Sequence, residues 1–233
     1  MTELKLAVAK LAKYGVAESG DTVEVVERPG GGLSVVIADG QGSGPAAKRV
    51  SRLVVAKAMA LIADGARDGA VARAVHDYLF AARDGKVSTA LTIVSVDLRT
   101  HTLVLSRNSS CPVLVREPDG GVTSYAEPVE PIGFHAATKP AITERPLAEG
   151  LGLLTGTDGV FDAGGLGAGV QPAAARLAAG SVDSRGLADA VLAEALERDG
   201  GRARDDMTVL ALWLASSGGE EPVRTLTVTF PFR

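Results

Sequence analysis

The sequence has one cysteine, few aromatic residues and no long apolar or basic run. Cys111 alone cannot form an intrachain disulfide, and it excludes a zinc site built from several cysteines. Aromatic residues make up 4% of the chain, so the core must consist mainly of Val, Leu, Ile and Ala. No apolar run reaches the ~18 residues of a membrane span. A net charge of −4 without a basic run argues against binding of nucleic acid or an anionic membrane through electrostatics.

The remaining composition is that of a globular protein. Hydrophobic residues account for 46% and charged residues for 22% of 233 residues, which is enough for a sizeable core. No repeat or linker divides the chain, so we expect one domain over residues 1–233. The start, "MTELKLAVAKLAKYG", lacks the apolar core and cleavage site of a signal peptide. Together with the single cysteine, this predicts a cytoplasmic protein.

Apolar periodicity predicts the secondary structure. Strands are predicted at Leu4–Leu11, Val23–Glu27, Leu33–Ala38, Thr89–Leu98, His101–Arg107, Val113–Arg116, Ala141–Leu147, Leu151–Thr155, Met207–Leu214 and Val223–Phe230. Helices are predicted at Pro45–Ala63, Val71–Phe80, Pro172–Ala179 and Arg185–Glu197. This order lacks the regular alternation of a parallel α/β fold, so it predicts an α+β fold with mostly antiparallel sheet. Two packed sheets with helices outside would bury runs such as Leu91–Val96 on both faces.

The stretch "ADGQGSG", from Ala38 to Gly44, places one carboxylate among three glycines directly after an apolar strand. It lacks the Lys-Ser/Thr of a P-loop, and its glycines fall at every second position rather than in the dinucleotide-binding spacing. By itself, an Asp-Gly pair after a strand is typical of a tight turn. A turn and a metal site therefore both remain open for Asp39 at this point.

Three further acidic motifs stand at strand ends. They are "SGD" at Ser19–Asp21, "TDG" at Thr157–Gly159 and "RDDMT" at Arg204–Thr208. Clustered carboxylates without basic partners repel each other and raise each other's pKa. A divalent cation removes that penalty, and ligation by oxygen alone favours Mg²⁺, Mn²⁺ or Ca²⁺ over zinc.

The motifs "SGD", "ADGQGSG", "TDGV" and "RDDMTV", in this order, resemble those of the PPM superfamily of metal-dependent serine/threonine protein phosphatases. The likeness is to the bacterial branch that includes the stage II sporulation protein E, in its short RsbX-like form. It spans residues 19–214. The resemblance implies a four-layer α-β-β-α sandwich of two mostly antiparallel sheets with helices outside.

The resemblance also implies a two-metal site holding Mn²⁺ or Mg²⁺. Its expected ligands are Asp21, Asp39, Gly40 through its carbonyl, Asp158, Asp205 and Asp206. Asp39 would bridge the two ions, and Asp39 and Asp158 are the expected catalytic residues. Of the adjacent pair, Asp205 matches the family's ligand position, whereas Asp206 would hydrogen-bond locally or hold an additional ion. Two ions would share a water, lower its pKa and hold the resulting hydroxide in line with a phosphoryl group.

The implied activity is hydrolysis of phosphoserine or phosphothreonine on a bacterial regulatory protein. The implied partners belong to stress or sigma-factor partner switching, such as a STAS-domain anti-sigma-factor antagonist or a stressosome component. Two features depart from the family. "RNSSCP" at Arg107–Pro112 replaces the frequent "NAGH" motif, and no arginine precedes Asp21 in the position where eukaryotic members bind phosphate. His76, His101 and His135 show no metal-ligand spacing.

Two other function classes stay open on the sequence. A catalytically silent PPM-fold module that docks a regulatory partner is disfavoured by the four intact acidic positions. A calcium-binding structural domain is disfavoured because the chain lacks an EF-hand loop. A Mn²⁺-dependent phosphatase assay separates both from the enzyme.

Overall fold

The computed structural model describes residues 2–180, 183–216 and 224–229. Within them, ten strands form two sheets. The strands are β1 (Thr2–Leu11), β2 (Asp21–Glu27), β3 (Gly32–Gly40), β4 (Thr89–Asp97), β5 (Thr102–Asn108), β6 (Val113–Arg116), β7 (Val122–Tyr125), β8 (Ala141–Pro146), β9 (Gly152–Gly156) and β10 (Met207–Ser216). The helices are α1 (Gly44–Ala63), α2 (Asp68–Arg83), α3 (Asp158–Phe161), α4 (Val170–Ala178) and α5 (Ser184–Arg198).

The two sheets have five strands each and pair only antiparallel neighbours. One has the order β1-β10-β9-β6-β7 and the other the order β2-β3-β4-β5-β8. Helices α1 and α2 pack on the outer face of the second sheet, and α4 and α5 on that of the first. The result is the four-layer α-β-β-α sandwich that the resemblance implies, so the predicted fold class is confirmed.

Strand β3 shows how its sequence separates the layers. Val35 and Ile37 face the other sheet, whereas Val36 and Ala38 face the helices α1 and α2. Successive side chains of a strand point to opposite faces, so a strand covered on both sides reads as a continuous apolar run. Long runs of this kind in β3, β4 and β10 place these strands inside the sandwich.

The last predicted strand is wrong over its described part. Residues 224–229 form no strand, although they alternate as a strand would; Val223 and Phe230 lie outside the described residues. Leu226 and Val228 are 79% and 76% exposed. A strand needs the backbone of a neighbour for its hydrogen bonds, and the described residues offer this segment none.

None of the helices in the described part of the chain has both the length and the apolar character that crossing a membrane requires.

Candidate metal centre

Four strand ends bring the predicted site residues together. Asp21 begins β2 and lies opposite Asp39 near the end of β3. In the other sheet, Asp158 follows β9 and Asp205 precedes β10, its antiparallel neighbour. A cleft of about 300 Å³ opens at this end of the sandwich. The predicted ligands that line it are Asp39, Gly40, Asp158 and Asp205, while Asp21 is buried behind them.

Glycines allow the backbone segments of the site to approach one another. A Cβ atom on Gly159 would lie 2.2 Å from the carbonyl oxygen of Asp206, and one on Gly40 would lie 2.3 Å from that of Ala47. Real Cβ atoms do not come so close to backbone. The glycine after Asp158 therefore lets α3 pack against the start of β10, and the glycine after Asp39 lets α1 pack against β3.

Asp21 is held by hydroxyl groups from the opposite sheet. Its Oδ2 accepts hydrogen bonds from Thr157 Oγ1 at 2.9 Å and Thr208 Oγ1 at 2.5 Å. Its Oδ1 is buried and has no hydrogen-bond partner among the described residues. Burial is the main reason that the pKa of Asp21 rises to about 6. A buried carboxylate oxygen without a donor is a ligand position that a cation would satisfy.

Asp39 lies at the centre of the negative charge. Burial first, and then the charges of Asp21, Asp158 and Asp205, raise the pKa of Asp39 to about 9. The pKa of Asp158 is also raised, by burial and by the charge of Asp205, while a hydrogen bond shared with Asp39 works the other way. Without a cation, burial and the neighbouring acids therefore strongly disfavour the ionised form of Asp39.

The adjacent residues Asp205 and Asp206 differ in what they contact. Asp206 Oδ1 accepts the Lys13 backbone N–H at 2.9 Å, and its Oδ2 accepts that of Gly20 at 2.8 Å. Both oxygens of Asp206 thus hold the segment that leads into β2. Asp205 lines the cleft, and among the described residues its Oδ1 accepts only the adjacent Asp206 N–H at 2.9 Å. This arrangement supports the prediction that Asp205, rather than Asp206, is the metal ligand.

Alanine variants of these two residues separate the roles. We expect Asp205→Ala to lower Mn²⁺ affinity about tenfold or more with little effect on folding, because its side chain faces the cleft. Asp206→Ala should lower the free energy of unfolding by about 2–4 kcal/mol, because two backbone N–H groups lose their acceptor. Calorimetric titration with Mn²⁺ and urea unfolding in EDTA measure the two quantities. Equal effects of both variants on stability would contradict the assignment.

The donor set fits divalent cations that prefer oxygen ligands. The predicted ligands offer carboxylate oxygens and one backbone carbonyl, which suits Mg²⁺ or Mn²⁺. Among the described residues, no three His, Cys, Asp or Glu side chains are arranged as they would be around a metal ion. The fit therefore rests on the unpartnered Asp21 oxygen and on the unbalanced charge around Asp39.

Several residues of the site were not predicted from the sequence. Thr157 and Thr208, which hold Asp21, stand inside the quoted motifs "TDG" and "RDDMT", so their position was a usable signal. Lys10 and Lys48 both donate to the Asp21 carbonyl oxygen, at 2.5 and 2.6 Å. Neither lysine stands in an acidic motif, and nothing in the sequence pattern points to their convergence.

The histidines and the cysteine lie outside the cleft lining. His76 is buried on α2 and accepts a hydrogen bond from the Gly133 N–H, and His101 occupies a turn with φ of 53°. His135 is exposed in a loop, edge-on to Phe134. Cys111 is buried, and burial raises the pKa of its thiol. His76 and Cys111 therefore have packing roles, and His101 is a turn residue.

Comparisons with known proteins agree with the fold. The family described as Stage II sporulation protein E (SpoIIE) matches residues 29–214. A structure of the PP2C phosphatase domain of SpoIIE from Bacillus subtilis, with a fragment of its regulatory domain, is similar at 19% identity and a TM-score of 0.80, over 94% of this chain and 65% of that one. The RsbU and RsbW domains of Rv1364c from Mycobacterium tuberculosis match at 22% identity and a TM-score of 0.75, over 91% and 60% of the two chains.

A third similar structure contains a metal ion. RsbX in complex with magnesium matches at 15% identity and a TM-score of 0.71, over 92% of this chain and 100% of that one. The chain thus spans the whole of RsbX but less than two thirds of the other two structures. A search of curated protein sequences finds no match.

Proposed function

The chain belongs to the SpoIIE family of PPM-type protein phosphatases, and from this premise we propose that it removes phosphate from phosphoserine or phosphothreonine of a regulatory protein. The observation that carries the proposal is the cleft in which Asp39, Asp158 and Asp205 meet around buried, unbalanced negative charge. The site needs no protein nucleophile, in keeping with a lining that contains no cysteine or histidine among the described residues.

We propose two Mg²⁺ or Mn²⁺ ions as cofactors. The similar structure of RsbX holds magnesium, and the donor set here suits either ion. Asp39, Asp21 and the Gly40 carbonyl would hold one ion, and Asp39, Asp158 and Asp205 the other. When bound, such a pair supplies positive charge for the phosphoryl oxygens and lowers the pKa of a water.

The chain's own residues position the acids and receive the phosphate. Thr157 and Thr208 fix the side chain of Asp21, so its free oxygen keeps one orientation. The remaining polar residues of the cleft would donate to phosphoryl oxygens that the metal ions leave free: Lys13, Gln41, Ser43 and Ser88. Lys13 is the one cation among the described lining residues, and it would partly replace the missing arginine.

For the substrate we propose a phosphorylated protein of a partner-switching pathway, such as a STAS-domain antagonist or a stressosome component. The similar structures include an RsbU domain joined to an RsbW domain and a chain from a bacterial stressosome. These likenesses support the class of substrate and do not name the protein.

Metal removal tests the proposed activity. We expect purified protein to release phosphate from a phosphoserine peptide in Mn²⁺ or Mg²⁺, to lose this activity in EDTA, and to recover it when the metal is restored. A malachite green assay measures the phosphate. Binding of Mn²⁺ without turnover of any phosphoserine or phosphothreonine peptide would contradict the enzyme and favour a silent module that docks a regulatory partner.

A further inference from the structure

Helix α1 carries a strongly one-sided charge. Its twenty residues contain four cations, Lys48, Arg49, Arg52 and Lys57, and no acidic residue. Lys48 turns inward and donates to the Asp21 carbonyl oxygen. The other three are exposed, and we call Arg49, Arg52 and Lys57 the basic face of α1.

The basic face lacks acidic partners. In the described parts of the chain, no salt bridge involves Arg49, Arg52 or Lys57. Lys57 lies over the ring of Tyr78, 5.5 Å from its centre. Among the described residues, Arg49 and Arg52 therefore have no competing acidic partner, whereas Lys57 already contacts Tyr78.

This arrangement works against the stability of the helix itself. Arg49 and Arg52 carry like charges at a spacing of three residues, so they repel each other on the helix surface. No salt bridge among the described residues relieves this repulsion. An acidic partner would offset it, which gives the pattern a physical reason beyond folding.

The basic face starts at the cleft. Ser43, the N-cap of α1, lines the cleft. With a rise of about 1.5 Å per residue, Arg49 lies about 9 Å and Lys57 about 21 Å along the helix axis from Ser43. An extended peptide advances about 3.3 Å per residue. Acidic residues about three to six positions from the phosphorylated residue would thus reach the basic face.

We propose that the basic face of α1 is a docking surface for acidic residues that lie about three to six positions from the phosphorylated residue of the substrate. The inference rests on the proposed phosphatase function and adds a substrate preference to it. Nucleic acid and anionic membranes are the competing partners of a basic surface. The face is short, the chain has a net charge of −4, and its cations lead to the cleft, all of which favour a protein substrate.

Two phosphoserine peptides test the proposal, one with Asp at positions three to six on either side of the phosphoserine and one with Ala there. We expect the acidic peptide to be hydrolysed about three- to tenfold more efficiently at low salt, because exposed ion pairs are individually weak. The preference should shrink at about 0.5 M NaCl. Fluorescence anisotropy in EDTA, where turnover is blocked, measures the binding of the same labelled peptides.

A charge-matched pair of variants locates the effect. Arg49→Glu with Arg52→Glu should abolish the preference in both assays while leaving hydrolysis of p-nitrophenyl phosphate unchanged. Arg67→Glu with Arg73→Glu changes the net charge equally at exposed positions in and beside α2, and it should retain the preference. Thermal melts monitored by circular dichroism confirm that both variants fold.

A missing docking surface and a missing phosphatase activity would give different results. Equal hydrolysis and binding of the two peptides would overturn the docking surface and leave the phosphatase standing. An equal loss in both double variants would also overturn it, because the effect would then come from net charge. Binding to anionic vesicles that only Arg49→Glu with Arg52→Glu abolishes, without a peptide preference, would assign the face to membranes. A binding preference without hydrolysis of either peptide would keep the surface and overturn the enzyme.

Discussion

Asp39→Ala is expected to lower metal-dependent phosphate release by more than about 100-fold. Changes in residues that merely support metal ligands already cost about 10–100-fold, and Asp39 is the proposed bridge between two ions. The same substitution removes a buried carboxyl group whose ionised form is disfavoured by burial and by the charges of the neighbouring acids. The metal-free protein should therefore become more stable as it becomes inactive. Phosphate release with Mn²⁺ and thermal melting in EDTA measure the two opposite effects.

The stability gain depends on pH in a defined direction. Asp39 has a pKa of about 9 in the folded metal-free protein, whereas an unfolded chain has an ordinary Asp pKa of about 3.9. Between these values the folded state holds a proton that the unfolded state has released, so stability falls as pH rises. The stability associated with this proton is complete below pH ~4 and is lost as pH rises to ~9. Asp39→Ala should flatten this part of the stability curve.

An exposed aspartate provides the control. Asp77 on α2 has a side chain that is 78% exposed, so Asp77→Ala should change neither phosphate release nor the pH dependence in EDTA. Asp39→Asn keeps the size of the side chain and should resemble Asp39→Ala in both assays. A destabilised Asp39→Asn protein whose pH dependence in EDTA matches wild type would show that the carboxylates do not interact as the charge distribution requires.

Much of the fold could be predicted because local patterns encode it. The run Leu33–Ala38 and the glycines around it specify a buried strand and its turns without reference to distant residues. The meeting of Asp39 and Asp158 was implied by the resemblance to the PPM motifs, because an acid that follows a strand and precedes a glycine is by itself also typical of a tight turn. The metal roles of these residues stay a prediction, while their meeting in one cleft is a feature of the structure.

Contacts between the sheets could not be predicted in the same way. Asp206 holds the N–H groups of Lys13 and Gly20, which are separated from it by more than 180 residues. No periodicity encodes how one sheet is placed on another. The segment around Leu226 was wrongly predicted as a strand. Alternating side chains suit a strand, but they do not show whether a neighbouring strand is present to pair with it. The pattern of apolar side chains thus predicts the strands and helices, whereas the packing of one sheet on the other brings the site residues together.

A second large effect is expected from a buried ion pair at the end of β2 that is opposite to the cleft. Arg28 Nη1 donates to Asp68 Oδ1 at 2.9 Å, and the two side chains are 9% and 4% exposed. Arg28 also donates to Ser34 and Ser95, and Ser95 donates to Asp68. The pair thus joins the β2–β3 hairpin and β4 to the first residue of α2, where an acidic side chain also favours the helix N-terminus.

Asp68→Ala should lower the free energy of unfolding by about 3–5 kcal/mol, because it leaves a buried guanidinium without its counter-charge. For a chain of this length the melting temperature should fall on the order of 10 °C. Urea unfolding and calorimetry measure these changes. None of the four residues of the network lines the cleft, so kcat per folded molecule should stay at the wild-type value.

A double variant distinguishes loss of the pair from loss of packing. Arg28→Met with Asp68→Leu removes both charges and keeps apolar volume, and buried pairs replaced in this way often cost little stability. We therefore expect the double variant to be more stable than Asp68→Ala, although it changes two residues instead of one. If Asp68→Ala costs less than about 1 kcal/mol, which is the value of an exposed pair, then Arg28 finds water in its absence. In that case the ion pair does not hold α2 to the sheet, and the hydrophobic contacts of Val71, Val75 and Leu79 alone secure the helix.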